Sequence, residues 1–304
     1  MGGLVAFPTE TVYGLGCDAL NPDAAAKVFE AKQRPQFDPL IVHIADRIQL
    51  HDVVRALTAT ALQLIDQFWP GPLTLVLQKQ STIPDLVTAG LDTVAVRMPN
   101  HPVAQALIRE AGTPIAAPSA NPFGYVSPTT AQHVAHGLGS TIDLILDGGP
   151  CPVGVESTIV SLVGPQAELL RPGSITLAQL SAVIGPLSRS SSVVDQPTAP
   201  GQLARHYATQ TPVTILTSLK ARPTLTKNER AGLLIFSQAS ATDERFAAIE
   251  VLSITGDLRE AAHHLFAALR RLDAQGLDRI YVEPCHEEGL GMAIMDRLRR
   301  CAAS

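Results

Sequence analysis

Apolar positions along the chain fall into short continuous runs, alternating runs and helical stripes. Residues 4–7, Leu-Val-Ala-Phe, predict a buried strand that ends at Pro8, which has no backbone donor for a ladder. Asn21-Pro22 reads as a helix start, with an amide cap and proline in the first turn; the helix runs from Ala24 to about Lys32 and stops before Arg34-Pro35. Leu40, Val42 and Ile44 alternate with Ile41 and His43, so His43 points away from the more aliphatic face of a strand. Val53, Leu57, Ala61, Leu64 and Phe68 keep helical spacing as far as Pro70-Gly71-Pro72, and residues 73–77 follow as a buried strand. In the next strand Val94, Val96 and Met98 share one face and Ala95 and Arg97 the other; if that second face is buried, Arg97 needs an anionic partner.

Ser127-Pro128 reads as another helix start, with Ser127 as cap, and a helix N-terminus also binds phosphate. Residues 144–149, 154–160 and 169–173 read as strands with turns, and Arg171 falls at a strand end. The alternation predicts an α/β sheet domain over residues 1–185. Residues 186–211, rich in Ser, Pro and Gly, read as a linker that carries Arg205-His206-Tyr207. Strands at 213–216, 232–236 and 279–283 and helices at 257–275 and 290–300 predict a smaller α/β domain over 212–304.

The 304 residues, 46% of them hydrophobic, suffice for two cores. A net charge of -5 argues against a general nucleic-acid coat, and 4% aromatics against a base-stacking platform. Cys17, Cys151, Cys285 and Cys301 form no C-x-x-C pair, which argues against a zinc or dithiol motif and for reduced thiols. With no apolar run of about 18 residues and no signal-peptide pattern, the chain reads as soluble and cytoplasmic, with no membrane partner. Phosphate-loop, dinucleotide-binding, zinc-protease and nucleophile-elbow motifs are all missing. What remains is a dispersed set of cations, Lys32, Arg34, His43, Arg97, Arg171 and Arg205, with Ser and Thr hydroxyls in the loops between them. If they converge on this acidic protein, they suit a polyphosphate or a carboxylate. The stretch from Pro8 to Gly16, a strand running into Thr9, Glu10, Thr11, Tyr13 and two glycines, is where an α/β sheet places a ligand; Gly14 and Gly16 would allow tight turning and close backbone approach.

The motifs PTETVYGLG, KQRP…PLIVH, FWPGPLTLVL, VAVRMP, PSANPFG…SPT, DGG…GVESTIV and LLRPGSI, in this order, closely resemble the YrdC-like family of threonylcarbamoyl-AMP synthases. They cover the first domain almost end to end, and PGQLARHYA and GLGMAIMDRL resemble the long, two-domain form. The resemblance implies a twisted mixed α/β sheet bent around a concave cationic cavity, a Rossmann-like second domain and a linker packed over the cavity. It implies a nucleotidyltransferase that joins L-threonine, bicarbonate or CO2 and ATP into threonylcarbamoyl-AMP and pyrophosphate. A separate complex would then pass the group to an adenosine beside the tRNA anticodon, so no stable nucleic-acid binding is expected of this chain. By the same resemblance Thr11, His43, Arg97 and the Ala117 backbone would hold threonine, and Arg34, Asp38, Thr93, Ser119, Ser127, Arg171 and Tyr207 would contact ATP. Lys32, Asn121, Ser157 and Arg205 would support them, and Mg²⁺ would arrive on ATP without protein ligands. No general base is evident; His43 is the candidate by residue type, with substrate binding its expected role.

Three departures from the family pattern stand out. Asp38 replaces the usual Asn, Gln202-Leu203-Ala204 stands where relatives carry Met and a further Lys or Tyr, and the sequence starts almost at its first strand, where relatives place a helix. Competing readings are a non-catalytic RNA-binding module, a weakened paralogue, and a carbamoyl-adenylate step of hydrogenase maturation, whose C-x-x-C pairs do not occur here.

Overall fold

Asn21 caps the first helix through its side-chain oxygen, which accepts from the amides of Asp23 and Ala24 at 3.0 and 3.1 Å, an interaction worth about 1 kcal/mol. The computed structural model describes residues 2–190, 197–203, 206–218, 221–237 and 243–303. The first unit runs β1 (Val5–Phe7), β2 (Gly14–Asp18), α1 (Pro22–Lys32), β3 (Ile41–His43), α2 (Leu50–Val53), α3 (Ala59–Phe68), β4 (Leu73–Gln78), α4 (Asp85–Thr88) and β5 (Thr93–Arg97). It continues with α5 (Pro102–Ala111), β6 (Ile115–Ala117), α6 (Ala131–Leu138), β7 (Leu144–Ile145), β8 (Thr158–Ser161), β9 (Glu168–Arg171), α7 (Leu177–Ile184) and β10 (Ser188–Arg189). The second unit comprises β11 (Val213–Ile215), β12 (Ala231–Ser237), β13 (Ala248–Ser253), α8 (Leu258–Asp273), β14 (Arg279–Val282) and α9 (Gly291–Ala302).

Ten strands form one mixed sheet in the order β10-β9-β8-β4-β5-β3-β6-β2-β1-β7, and four form a parallel sheet in the order β11-β14-β12-β13. The expected mixed sheet and smaller Rossmann-like unit are both present. In the central strands, Leu40, Val42, Ile44 and Val96 join the main core, while Ile41 and Ala95 belong to a separate apolar group on the opposite face. Because side chains alternate along a strand, His43 and Arg97 share that second face. Parallel pairing of β3 with β5 sets His43 directly beside Arg97, and antiparallel pairing of β3 with β6 sets Ile41 beside Ala117.

Several local expectations change. Gly14 and Gly16 form part of β2 rather than a turn; a Cβ on Gly16 would come within 2.8 Å of both Phe7 and Ile115, so packing against these side chains requires the glycine. The helix expected across 53–68 is two helices: α2 ends at Val53, Val54 turns extended to bridge Lys79, and Thr58 caps α3. The helix expected at Ser127 begins at Ala131 with Thr130 as its cap, which frees Ser127 from that role. The segment read as linker from residue 186 begins with β10, which pairs with β9 and extends the large sheet. Strand β13 was not evident in the sequence pattern.

The second unit packs on the loops of the first. One face of α8 buries Ala261, Ala262, Leu265, Phe266, Ala268, Leu269 and Leu272 at helical spacing. Leu265, Phe266, Ile294 and Leu298 share their core with Val12, Val126, Val155 and Tyr207 of the first unit's loops and the connecting segment. Gly154 lies directly against α8: with φ of +79°, any Cβ there would come within 2.5 Å of the Ala262 carbonyl oxygen. Among the described residues no helix is long and apolar enough to cross a membrane.

Candidate active site

The turn from β1 to β2 is organised by Thr9. Its hydroxyl accepts from the amides of Thr11 and Val12 at 3.1 and 3.2 Å, donates to the Val12 carbonyl at 2.7 Å and lies 2.8 Å from the Thr11 hydroxyl. This short-range closure holds Thr11 and Glu10 against Arg97. The Arg97 guanidinium donates to Thr11 Oγ1 at 2.9 Å and to the Gly71 carbonyl at 3.2 Å, and lies 2.6 Å from a Glu10 carboxylate oxygen. Glu10 is thus the anion that a buried Arg97 requires.

His43 is fully enclosed beside Arg97. Burial and the Arg97 charge push its pKa down to about 3. Its Nδ1 lies 3.0 Å from the Ile41 carbonyl, which can only accept, so the neutral ring carries its proton on Nδ1, and the Ile115 backbone also engages the ring. The edge of Phe7 fixes the plane of the ring, with centroids 5.9 Å apart.

A cationic wall faces this end. Helix α1 ends in a left-handed Gln33 (φ 52°), which turns Arg34 inward beside Lys32. Both are buried and are not the surface cations that a helix C-terminus commonly carries. Lys32 donates to the carbonyls of Ser119 and Asn121, and burial together with the Arg34 charge lowers its pKa strongly. Arg34 donates to the carbonyls of Asp38 and Pro39 and lies 2.9 Å from the Asp38 carboxylate. Arg171 donates to the Ser157 carbonyl and hydroxyl and to the Pro200 carbonyl, each at 3.1 Å. Burial depresses the pKa of Arg34 and Arg171 as well, and pushes that of Asp38 up. Five basic side chains, Lys32, Arg34, Arg97, Arg171 and Arg297, meet four carboxylates, Glu10, Asp38, Glu156 and Asp296. Such a desolvated excess of positive charge favours a polyanion.

Glu156 joins the two units at this wall. It accepts from the Ser127 hydroxyl and pairs with Arg297 of α9 at 2.9 Å. Burial pushes its carboxyl pKa up, but the charges of Arg297 and Arg171 outweigh that and hold it below the ordinary value. Tyr207 closes the cavity. Its backbone is left-handed (φ 63°), an unusual conformation for an aromatic residue, and its ring stacks on Phe266 at 5.4 Å. Burial raises its phenol pKa to about 12, and its hydroxyl has no hydrogen-bond partner among the described residues.

The cavity is lined by Thr11, His43, Arg97 and Ala117 on the β3–β5–β6 side, and by Arg34, Ser119, Ser157, Arg171 and Tyr207 on the other. Pro200 and His206 complete the closure from the connecting segment. Its volume is about 50 Å³, room for a few waters at roughly 10–15 Å³ each. Lys32 and Asn121 stand just behind the lining, bound to each other through the Asn121 carbonyl. Asp38 and Ser127, expected as ATP contacts, are also outside the lining: Asp38 backs Arg34, and Ser127 backs Glu156. Thr93 is at the opposite end of β5 from Arg97, paired with Gln78, about 13 Å along the strand. Arg205 lies outside the described residues. Among the described residues no group of three His, Cys, Asp or Glu side chains is placed to hold a metal ion, and Glu10, Asp38 and Glu156 are each engaged by an arginine.

Sequence reasoning assigned no role to Glu10, Glu156, His206 or Arg297. Glu10 and Glu156 occur within the quoted motifs, and the need of Arg97 and Arg171 for counter-charge was the available signal. Arg297 carries a signal of its own, an arginine on the apolar face of α9 between Ile294 and Leu298.

Comparison with known proteins identifies the family and the fold. A family model for Sua5, YciO and YrdC proteins, described as telomere recombination, matches residues 1–173, and one described as threonylcarbamoyl-AMP synthase, C-terminal domain, matches residues 175–303. Threonylcarbamoyl-AMP synthase of Bacillus subtilis is 45% identical, covering 98% of this chain and 89% of the relative. That of Pyrococcus abyssi is 43% identical, covering 99% and 91%. A crystal structure of P. abyssi Sua5 complexed with L-threonine superposes with a TM-score of 0.93 at 41% identity, covering 99% of this chain and 91% of that one. The protein belongs to the Sua5–YciO–YrdC family, with the C-terminal domain of the threonylcarbamoyl-AMP synthases following the family's core domain.

Proposed function

We propose that this protein is an L-threonylcarbamoyladenylate synthase, a nucleotidyltransferase that makes threonylcarbamoyl-AMP and pyrophosphate from L-threonine, bicarbonate or CO2, and MgATP. The reading rests on the convergence, in one cavity, of a carboxylate-type clamp at Arg97 and Thr11 with a polyphosphate-type wall at Arg34 and Arg171. Membership of the synthase family and the threonine-bound relative support it.

Arg97 takes the threonine carboxylate, exchanging part of its contact with Glu10 for a paired hydrogen bond. Thr11, His43 and the Ala117 backbone orient the rest of the amino acid. Threonine's amine captures CO2 as a carbamate; a carbamate oxygen attacks the α-phosphorus, and the bond to the bridging oxygen breaks to release pyrophosphate. Arg34 and Arg171, backed by Lys32, offset the charge on the phosphates, while Ser119, Ser157 and Tyr207 position the nucleotide. Mg²⁺ enters as part of the MgATP substrate, since the carboxylates here are committed to arginines. His43, with a pKa of about 3, is a neutral positioning group in this scheme and not a general base.

In this reading Pro200, His206 and Tyr207, which line the cavity from the connecting segment, move aside to admit the nucleotide, and their return shields the adenylate from water. Residues 1–185 form the catalytic domain in this reading, with α7 packed in its core; 186–211 form the covering linker and 212–304 the second domain. The product passes to a separate tRNA-modifying complex. The cytoplasm, with all four cysteines free, is the compartment that fits. Pyrophosphate release from ATP, measured with threonine or bicarbonate omitted in turn, tests the reaction. Release that continues without threonine contradicts it.

A further inference from the structure

Arg297 is the largest fully buried side chain among the described residues, yet it belongs to the second unit, which contributes no residue to the cavity lining. It lies among the buried apolar residues Ile294, Met295 and Leu298 of α9, and a buried guanidinium is costly unless its partners are well placed. Its partners all reach into the first unit or the connecting segment, apart from its neighbour Asp296 at 2.7 Å. Nε donates to Glu156 at 2.9 Å, Nη1 donates to the Pro172 carbonyl at 2.9 Å, and Cζ lies 5.3 Å from the centre of the Tyr207 ring. Each contact is one step from the cationic wall: Glu156 lines the cavity and holds Ser127, Pro172 follows Arg171, and Tyr207 is the closing residue. Tyr207 also stacks on Phe266 of α8, so two helices of the second unit contact the residue that covers the site.

We propose that Arg297 is a positioning residue for the nucleotide: from the second unit it sets Glu156, Arg171 and Tyr207 in register, which makes that unit a working part of the active site. The inference rests on the adenylation reading above. It assigns Arg297 to the ATP end of the cavity, because among the described residues its own hydrogen bonds, ion pairs and ring contact reach Glu156, Pro172, Asp296 and Tyr207 and not Thr11, His43 or Arg97.

The test uses the full chain as wild type, Arg297→Met, Arg297→Lys, Glu156→Gln, the Arg297→Met/Glu156→Gln double variant, and Arg299→Met. Arg299 is half-exposed on the same helix and paired with Glu287, so its loss is expected to leave turnover unchanged. Initial rates of pyrophosphate release are measured against MgATP and against threonine, with thermal melts alongside. Arg297→Met is expected to lower kcat/KM for ATP at least tenfold while KM for threonine stays within twofold. Arg297→Lys, which keeps the charge but loses the planar fork, should fall between it and wild type. Adding Glu156→Gln to Arg297→Met should cost little more, because the two residues act as a pair. A merely structural role would weaken both substrates together and follow the melting temperature. Wild-type ATP kinetics in Arg297→Met, or equal losses for ATP and threonine, overturn the proposal. If Arg297→Met does not fold, the Lys variant decides: an ATP KM raised at least threefold supports the proposal, and an unchanged one overturns it. A wild-type chain that releases no pyrophosphate overturns the parent reading instead.

Discussion

Replacing His43 by Gln isolates a consequence of burying an imidazole beside an arginine. The pKa of His43 falls from the ordinary 6.5 to about 3, so between these values the unfolded chain takes up a proton that the folded chain refuses. Stability is therefore lost as pH falls. At pH 7 the penalty is only about 0.2 kcal/mol, at pH 5 about 2 kcal/mol, and at pH 3 about 4 kcal/mol. The glutamine side chain would keep a donor for the Ile41 carbonyl but would not titrate. Urea unfolding followed through Trp69, the single tryptophan, reports on the first unit, where its indole donates to the Leu73 carbonyl at 2.7 Å. Between pH 7 and pH 5 the wild type should lose about 2 kcal/mol more than His43→Gln, whatever constant offset the substitution adds. Parallel pH profiles would refute the reasoning. They would mean that His43 titrates near its ordinary value and is able to serve as a base.

Three further substitutions probe the two ends of the cavity. Arg34→Ala removes a buried cation from the phosphate wall and should reduce pyrophosphate release by about a hundredfold or more, as seen in kcat/KM for ATP. Arg97→Lys substitutes a point charge for a fork now shared among Thr11, Glu10 and Gly71, and should raise the threonine KM about tenfold with the ATP KM little changed. Asp38→Asn leaves Arg34 its carbonyl partners at 3.1 and 2.9 Å but removes a negative charge behind it, so the ATP KM should fall; a rise would mean that the carboxylate itself binds the nucleotide.

Much of this architecture is carried by local pattern. The cap at Asn21, the alternation that turns His43 and Arg97 each away from the more aliphatic face of its own strand, and the buried strand after Pro72 all follow from short-range rules, and the structure has each of them. Failures occur where tertiary contacts outweigh such rules. The stripe from Val53 to Phe68 is broken because Val54 pairs with Lys79, and Ser127 is drawn from a capping role to Glu156, 29 residues away. Strand β13 carries Glu250 among its apolar residues, where it pairs with Arg271 of α8, so its alternation is incomplete in sequence. Arg34, Asp38, Arg171 and Ser157 were legible as candidates, but the pairing of Arg34 with Asp38 and of Arg171 with Ser157 and Pro200 emerged only in the fold. The Glu156–Arg297 pair spans 141 residues and two units, a separation that no local pattern encodes.

The central claim is tested most directly by pyrophosphate release from purified full-length protein with MgATP, threonine and bicarbonate, each omitted in turn. The account predicts release that requires all three and a product that carries one threonine and one carbon from bicarbonate for each AMP. Release independent of threonine, or none from a folded protein with Asp38→Asn tested alongside, would contradict it.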